Sequence, residues 1–254
     1  MNPQNLQQKI QHLFQQVSSL PIEVKVPTLS SSQLAHMIDH TLLKPEATTS
    51  QIERLCNEAK QFSFASVCVN PSYIPLCAKI LNNTSVKVCT VIGFPLGATL
   101  TSIKKYETEQ AIKNGATEID MVINIGQLKS GEYEYVQNDI AEVVQAAKSY
   151  NIITKVIIET SLLTEEEKIA ACLLTKEAKA DFVKTSTGFN GGGATEKDIT
   201  LIKYVVGNTM SVKASGGIRN RETALKLIAC GAKRLGTSAG IAIVNDAPTS
   251  QGGY

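Results

Sequence analysis

Two short stretches of the sequence place a lysine inside an apolar run. Lys184 lies within residues 182–186, Phe-Val-Lys-Thr-Ser, and Lys213 lies within residues 211–214, Ser-Val-Lys-Ala. Buried lysines are rare unless they are paired or have a chemical role, because burial disfavours the ammonium form and lowers its pKa. Such a lysine can attack a carbonyl carbon and form a Schiff base. The alternative interpretation is a lysine on the solvent side of an edge strand.

An isolated carboxylate accompanies the two lysines. Asp120 lies between Ile119 and Met121, so it too is a single charge among apolar neighbours. Two ammonium groups at the ends of neighbouring strands favour loss of one proton, so the pKa of one lysine falls. Asp120 can pair with a lysine or carry protons. These residues predict a nucleophile, a neighbour that tunes its pKa and an acid–base relay. The alternative is two unrelated lysines and a structural salt bridge.

Glycine-rich segments follow both lysines. Gly188 and residues 191–193 come after the first lysine, residues 215–218 after the second, and residues 236–240, with Ser238, close the series. In barrels of alternating strands and helices, phosphate sites are commonly built from the loops after the seventh and eighth strands. Glycines expose backbone N–H groups, and a serine hydroxyl can donate as well. The two loops together predict a phosphorylated substrate, although glycine-rich turns also occur without a ligand.

Composition limits the function classes. The chain has 254 residues, 43% hydrophobic residues and a net charge of +2, which favours one large globular domain without a nucleic-acid or anionic-membrane partner. The polar N-terminus is unlike a signal peptide, and no apolar run is long enough for a membrane span. The six cysteines are scattered, which predicts reduced core thiols in a cytoplasmic protein. The three histidines form no zinc-binding pair, so we expect no metal and no cofactor.

The elements that must position these residues alternate regularly. Eight apolar or β-branched runs are predicted strands: 37–39, 65–69, 87–92, 118–124, 154–159, 182–186, 211–214 and 234–236. Seven helical patterns lie between them: 50–61, 72–81, 100–114, 132–150, 164–178, 196–206 and 221–229. Thr49 or Ser50 is the expected N-cap of the first of these helices, and Thr164 with Glu167 forms a predicted capping box. Asn114-Gly115, Val206-Gly207 and Cys230-Gly231 are predicted helix ends.

Strands and helices that alternate in this way predict parallel pairing through right-handed crossovers. Eight units in about 210 residues indicate an α/β protein, a single (β/α)8 TIM barrel, rather than an open doubly wound sheet. No G-x-G-x-x-G follows the first strand, which disfavours a dinucleotide-binding fold. Since the helix layer is apolar, isolated charges on the strands are expected to face the barrel axis.

Both ends of the chain differ from this pattern. Residues 1–30 are predicted to be an N-terminal helical extension, because Leu6, Ile10, Leu13 and Val17 recur at helical spacing before two prolines interrupt the chain. This helix is expected to pack on the outside of the domain, with a subunit contact as the alternative. The barrel is assigned to residues 31–244. Residues 245–254 are predicted to be a flexible tail that ends in Tyr254.

From about Leu34 to Val244 the chain resembles the 2-deoxyribose-5-phosphate aldolase family. The resemblance rests on the segments IDHTLLKPEAT (38–48), SVCVNP (66–71), VIGFPLGAT (91–99), EIDMVIN (118–124), KVIIET (155–160), FVKTSTGF (182–189), VKASGGI (212–218) and RLGTSAG (234–240). It implies a class I, metal-independent aldolase that reversibly cleaves 2-deoxy-D-ribose 5-phosphate to D-glyceraldehyde 3-phosphate and acetaldehyde. It implies Lys184 as the Schiff-base lysine, Lys213 as the neighbour that lowers its pKa, and Asp120 as the proton-relay carboxylate.

The resemblance also implies the substrate contacts. Asp39 and Cys68 match positions at the sugar end of the pocket, and Tyr254 resembles a tail tyrosine that assists proton transfer in some members. The remaining substrate-binding positions, most of them at the phosphate, are Thr187, Gly188, Gly216, Gly217, Gly236 and Ser238. One position departs from the family pattern: some members have a phosphate-binding lysine where this chain has Phe189. Phosphate binding would then depend more on backbone N–H groups, on Ser238 and on Arg219.

Two other functions remain open at this point. One is another class I barrel aldolase that acts on a related sugar phosphate, such as a ketose phosphate. The other is a phosphosugar-binding barrel without catalysis, for which a nucleophilic lysine would be unnecessary. The expected partners are a small sugar phosphate, acetaldehyde and a second copy of the chain in a homodimer.

Overall fold

The computed structural model describes residues 3–17 and 25–248. The strands are β1 (Ile38–Leu42), β2 (Ser66–Val69), β3 (Lys87–Ile92), β4 (Glu118–Val122), β5 (Ile153–Ile157), β6 (Phe182–Lys184), β7 (Ser211–Ser215) and β8 (Ala232–Thr237). Each strand pairs in parallel with the next, and β8 pairs with β1, so the sheet closes into an eight-stranded barrel. The predicted (β/α)8 fold is confirmed.

Helices cover the outside of the barrel. They are α1 (Pro3–Val17), α2 (Ser31–Ala35), α3 (Thr49–Phe62), α4 (Ile74–Ile80), α5 (Thr101–Lys113), α6 (Ile125–Lys129), α7 (Tyr133–Lys148), α8 (Glu165–Glu177), α9 (Glu196–Val206), α10 (Arg221–Ala229) and α11 (Gly240–Asn245). The short helices α2, α6 and α11 were not predicted, because five or six residues carry too little periodicity. No helix in these two described ranges is long and apolar enough to cross a membrane.

Several predicted boundaries are confirmed and others are wrong. The predicted capping box of Thr164 and Glu167 begins α8, and Gly115, Gly207 and Gly231 follow the ends of their helices with positive φ. The N-cap of α3 is Thr48, not Thr49 or Ser50, because its side chain and that of Gln51 form a capping box.

The fourth and sixth strands are shorter than predicted. β4 ends at Val122 rather than at Asn124, because the Asn124 side chain caps α6 by accepting from the Gln127 N–H. β6 ends at Lys184, two residues before the predicted end. The residues that follow both strands are therefore in loops at the carboxyl end of the barrel, where they are free to line a pocket.

The N-terminal extension contains a packed helix. Leu6 and Ile10 of α1 are buried, and α1 contacts α8 and α9 on the outside of the barrel. Tyr204 of α9 donates from its hydroxyl to Gln16 across this contact. The apolar side chains of the strands and helices form one core between the two layers. The barrel axis is different, because charged side chains from several strands occupy it.

Candidate active site

Three strands bring Lys184, Lys213 and Asp120 together on the barrel axis. Lys184 is the last residue of β6, and the parallel register places it opposite Lys213 of β7. Oδ2 of Asp120, in β4, accepts hydrogen bonds from both lysine Nζ atoms at 2.7 Å. Asp120 and Lys213 are fully buried, and Lys184 is only 3% exposed. The structure therefore brings together the three residues that the sequence suggested for chemistry.

A larger set of ion pairs surrounds this contact and closes on itself. We call it the ion-pair ring, and its members alternate in charge in the order Asp120, Lys155, Glu118, Arg234, Asp39 and Lys213. The ring takes residues from five strands, β4, β5, β8, β1 and β7. Its three carboxylates balance its three cations, so the ring as a whole is neutral when every member is ionised.

Short contacts connect the members. Lys155 Nζ lies 2.8 Å from Oδ1 of Asp120 and 2.6 Å from Oε2 of Glu118. Arg234 Nη2 lies 2.6 Å from Glu118 Oε2 and 3.0 Å from Asp39 Oδ1. Lys213 Nζ closes the ring, 2.5 Å from Asp39 Oδ2 and 2.7 Å from Asp120 Oδ2. Paired charges of this kind can remain ionised although they are buried.

The ring holds Asp120 and Asp39 ionised and its two lysines charged. Burial alone would raise the pKa of Asp120, but the three neighbouring lysines hold it well below its usual range. Burial acts in the same sense on Asp39, and Lys213 and Arg234 lower its pKa to about 2. Burial alone would lower the pKa of Lys213, but Asp120 and Asp39 raise it above its ordinary value. Lys213 therefore keeps its proton beside Lys184.

A pocket opens above Lys184 at the carboxyl end of the barrel. It has a volume of about 440 Å³ and reaches from Lys184 to the loops after β6, β7 and β8. Six sequence-predicted substrate residues line it: Thr187, Gly188, Gly216, Gly217, Gly236 and Ser238. Lys184, the candidate nucleophile, and the candidate phosphate-binding residues therefore line the same cavity.

We call the pocket-lining residues Gly188, Gly216, Gly217 and Gly236 the glycine-rich wall. Glycine is required at two of these positions. Gly216 has a φ of +87°, a conformation that strains other residues. At Gly236 a Cβ atom would lie 2.4 Å from Ser215 Oγ. Ser215 therefore leaves no room for a side chain at position 236, and the backbone conformation disfavours one at position 216. The wall presents backbone rather than side chains, as an anion site built from N–H groups requires.

The position that departs from the family pattern also lines this pocket. The Phe189 ring packs edge-on against Phe94, with 5.2 Å between ring centroids, and Phe189 is 47% exposed. Two exposed cations, Lys44 and Arg219, line the same pocket. Arg219 was expected there, whereas Lys44, in the loop after β1, was given no role although it lies within the family-like segment 38–48.

Glu159 holds the loop that follows β6, which carries the KTSTG motif, in place through hydrogen bonds. Glu159, which follows β5, is fully buried and has a φ of 57°, unusual for a residue other than glycine. Its carboxylate accepts hydrogen bonds from the N–H and hydroxyl of Thr187 and, at 2.9 Å, from Asn190 Nδ2. Glu159 therefore positions the wall that Thr187 and Gly188 form.

Besides Asp120 and Lys213, two further predicted residues of the described ranges, Asp39 and Cys68, do not line the pocket. Asp39 lies in the ring, where it also accepts from Ser66 Oγ at 2.7 Å. Cys68 packs with Cys89 in a small cluster beside the ring. Neither residue therefore belongs to the pocket lining. Tyr254 lies outside the described residues, so its role stays a prediction.

The buried thiols do not offer a free metal site. Ligand atoms of Cys68, Cys89 and Asp120 lie within 4.8 Å of one another. However, Lys155 Nζ is 2.8 Å from Asp120 Oδ1 and 3.4 Å from Cys89 Sγ, so an ammonium already occupies the position between these groups. We therefore assign no metal to them.

Sequence reasoning gave no role to Lys155, Glu118 or Arg234, half of the ring. A signal existed for one of them. Glu118 and Asp120 are two residues apart in β4, and side chains at that spacing share one face of a strand. If Asp120 faces the axis, Glu118 must face it too. Lys155 was one of many polar residues on the predicted strands, and only the register selects it, opposite Asp120.

Comparison with known proteins agrees with this geometry. Residues 33–245 match the family model described as DeoC/LacD family aldolase. The deoxyribose-phosphate aldolase of Halalkalibacterium halodurans is 61% identical over 225 residues, which cover 88% of this chain and 100% of the relative. The protein of that name from Thermoanaerobacter sp. (strain X514) is 59% identical over 84% of this chain and 96% of the relative.

A solved structure supports the same conclusion. The deoxyribose phosphate aldolase from Aeropyrum pernix, described as tetrameric, superimposes with a TM-score of 0.80 at 33% identity, over 85% of this chain and 91% of that one. The resemblance inferred from the motifs is confirmed by the family model and by these relatives. The chain belongs to the DeoC/LacD family of aldolases.

Proposed function

We propose that the chain is a 2-deoxy-D-ribose 5-phosphate aldolase, an aldehyde-lyase that works through a Schiff base on Lys184. The observation that carries the proposal is the position of Lys184. It is the ring-contacting lysine that lines the pocket, and it shares the Asp120 carboxylate with a second lysine. The relatives that carry this name support the substrate, because they match this chain over nearly their whole length.

The reaction begins at the aldehyde carbon of the open-chain sugar. Lys184, as the free amine, attacks C1, and loss of water gives an iminium that acts as an electron sink. Removal of the proton from the C3 hydroxyl breaks the C2–C3 bond and releases D-glyceraldehyde 3-phosphate. The electron pair of that bond becomes the enamine on Lys184. Protonation of the enamine carbon and addition of water then release acetaldehyde and restore the lysine.

Asp120 and Lys213 carry the protons in this scheme, through water in the pocket. Both lysines donate to one oxygen of Asp120, so a proton can pass between them and the carboxylate without a change of side-chain position. Lys213, held charged by Asp120 and Asp39, is the neighbour to which the family resemblance assigns the tuning of Lys184.

The phosphate is assigned to the opposite end of the pocket. Backbone N–H groups at Gly188, Gly216, Gly217 and Gly236, with the Ser238 hydroxyl, supply donors, and Lys44 and Arg219 supply charge. This division places the aldehyde end at Lys184 and the phosphate end at the glycine-rich wall. Asp39 and Cys68 act on the sugar end only through the residues they contact.

Trapping of the Schiff base tests the proposal. The protein is incubated with acetaldehyde, reduced with borohydride and digested, and the adduct is located by peptide mass spectrometry. We expect a reduced two-carbon adduct on Lys184, which is absent in Lys184→Ala. An adduct on Lys213 instead would exchange the roles of the two lysines, and the absence of any site-specific adduct would favour the non-catalytic binding protein.

Substrate choice separates the proposal from its nearest alternative. Cleavage rates are compared for 2-deoxyribose 5-phosphate and fructose phosphates at equal concentration. We expect cleavage of the deoxyribose phosphate to dominate. Faster cleavage of a ketose phosphate would assign the chain to another class I activity in the same barrel.

We also propose that the enzyme is cytoplasmic and forms a homodimer, with Tyr254 assisting proton transfer from the tail. Light scattering measures the oligomeric state.

Truncation of residues 249–254 tests the tail, with exchange of the acetaldehyde methyl protons as the readout. Slower exchange at an unchanged rate of imine formation is the expected result.

A further inference from the structure

The ion-pair ring has a charge balance that Lys184 changes. The ring contains three carboxylates and three cations, and every member contacts one member of opposite charge on each side. Lys184 joins through Asp120 alone, at 2.7 Å. As an ammonium it is a fourth cation on a neutral assembly. As a free amine it leaves the assembly neutral.

Two ring members lie apart from the chemistry. Glu118 and Arg234 contact each other through two Arg234 Nη2 hydrogen bonds of 2.6 and 2.7 Å, and neither is among the residues that line the pocket. Both reach Asp120 only through other ring members: Glu118 through Lys155, and Arg234 through Asp39 and then Lys213. Both are at least 88% buried, with side-chain exposures of 3% and 12%. Water therefore screens their charges poorly.

We propose that Glu118 and Arg234 are positioning residues that set the pH range in which Lys184 reacts as a free amine, by fixing the net charge of the ion-pair ring. This inference rests on the proposed function, since it requires that Lys184 forms the imine. It gives a role to the pair beyond holding β4 and β8 together.

Other charged and titratable groups also face the barrel interior around Lys184, and a test of this proposal must leave them unsubstituted. They come from every strand around Lys184 and from the loops above it: Asp39, Cys68, Cys89, Asp120, Lys155, Glu159, Lys213, Lys44 and Arg219. None is altered in the variants below. Changes in the pH profile can therefore be assigned to the charge removed.

The two residues predict opposite effects, although they form one ion pair. Glu118→Gln leaves the ring with one excess positive charge, which disfavours an ammonium at Lys184, so imine formation extends to lower pH. Arg234→Gln leaves one excess negative charge, which favours that ammonium, so imine formation moves to higher pH. The midpoint is the pH at which the rate of imine formation is half of its maximum. A change of one buried unit charge should move this midpoint by about one pH unit in each variant. A purely structural role predicts the same direction for both, since each variant breaks the same contact.

The experiment measures the rate of imine formation with acetaldehyde between pH 5 and 9, by cyanoborohydride reduction and intact-mass spectrometry. The double variant Glu118→Gln/Arg234→Gln keeps the ring neutral and should return the midpoint to the wild-type value. Arg234→Lys keeps the charge but loses the two-bond geometry, and should also keep the wild-type midpoint. Glu142→Gln, which removes a carboxylate from the exposed pair with Lys105, is the matched surface control.

The outcomes separate this inference from the proposed function. No trapped adduct on the wild-type protein at any pH would overturn the proposed function. An adduct on the wild type, with midpoints that do not move or that move in one direction in both single variants, would overturn the role of the pair. If a single variant does not fold, as shown by circular dichroism, the double variant and Arg234→Lys decide: a midpoint shift in either of these charge-conserving proteins contradicts the inference.

Discussion

Among the described residues, two regions contain a lysine–carboxylate contact in which both side chains are fully buried, and only one of them resembles a reaction centre. On the barrel axis, Lys184 adds a fourth cation to the ring and lines a pocket of about 440 Å³. In the helix layer, Lys104 of α5 pairs with Asp139 of α7, and both side chains are fully buried. Lys104 Nζ also donates to the Val122 carbonyl at 2.9 Å, and Thr101 Oγ1 donates to Asp139 at 2.9 Å.

The Lys104–Asp139 pair in the helix layer carries no excess charge and is tightly packed. One cation meets one carboxylate, and a Cβ added to Gly93 would lie only 2.9 Å from Lys104 Cε, so the lysine has no free space on that side. Burial lowers the pKa of Lys104 although Asp139 opposes the shift. A perturbed pKa is therefore not enough to identify a catalytic lysine. Unequal numbers of opposite charges and access to a cavity are what distinguish Lys184.

Of the substitutions that test this comparison, removal of Lys184 should have the largest effect on turnover. Lys184→Ala deletes the nucleophile, so turnover of 2-deoxyribose 5-phosphate should be abolished. The ring stays neutral without Lys184, so the thermal midpoint should stay close to that of the wild type. Steady-state assays and circular dichroism measure the two quantities. Retained turnover in Lys184→Ala would remove this residue from the mechanism.

Asp120→Asn should have the next largest effect. The variant keeps the shape of the side chain but removes the charge that both lysines share. We expect kcat to fall roughly 10²-fold or more, the size of a lost acid–base contribution. A loss below tenfold in kcat would show that Asp120 is structural, as Asp139 is in the other region.

Lys104→Met should reverse the pattern by affecting stability and not catalysis. It leaves Asp139 buried without its cation, so the free energy of unfolding should fall by about 3–5 kcal/mol, while kcat stays unchanged. Urea denaturation gives the stability. Lys105→Met is the control, because its pair with Glu142 is exposed to solvent and should contribute little to the free energy of unfolding. A selective loss of kcat in the folded Lys104→Met enzyme would contradict the division between the regions.

Phe189→Lys should give the smallest effect and should sharpen the account of the pocket. An added cation on the pocket wall should lower KM for the phosphorylated substrate by roughly two- to fivefold, as expected for an exposed ion pair. KM for unphosphorylated 2-deoxyribose should not change. Phe189→Leu controls for loss of the ring contact with Phe94. Equal changes for both substrates would place the phosphate away from this wall.

The barrel could be predicted because its signals are local. Parallel strands that are buried between apolar helices need apolar or β-branched runs at regular spacing, and eight such runs are visible in the sequence. Helix ends at Gly115, Gly207 and Gly231 also depend on single residues. The motifs around Lys184 and Lys213 identified the family for the same reason, since chemistry fixes residue types over short stretches.

The ion-pair ring could not be predicted, because its contacts depend on which strands are neighbours and in what register. Lys155 meets Asp120 because β5 pairs with β4 at that step, and Arg234 reaches Glu118 only across the closed barrel. Lys104 and Asp139 meet because α5 packs on α7. The sequence by itself determined which residues carry charge and which elements hold them. Only the tertiary structure decided which charges are paired, because a Coulomb interaction depends on distance in space rather than on separation along the chain.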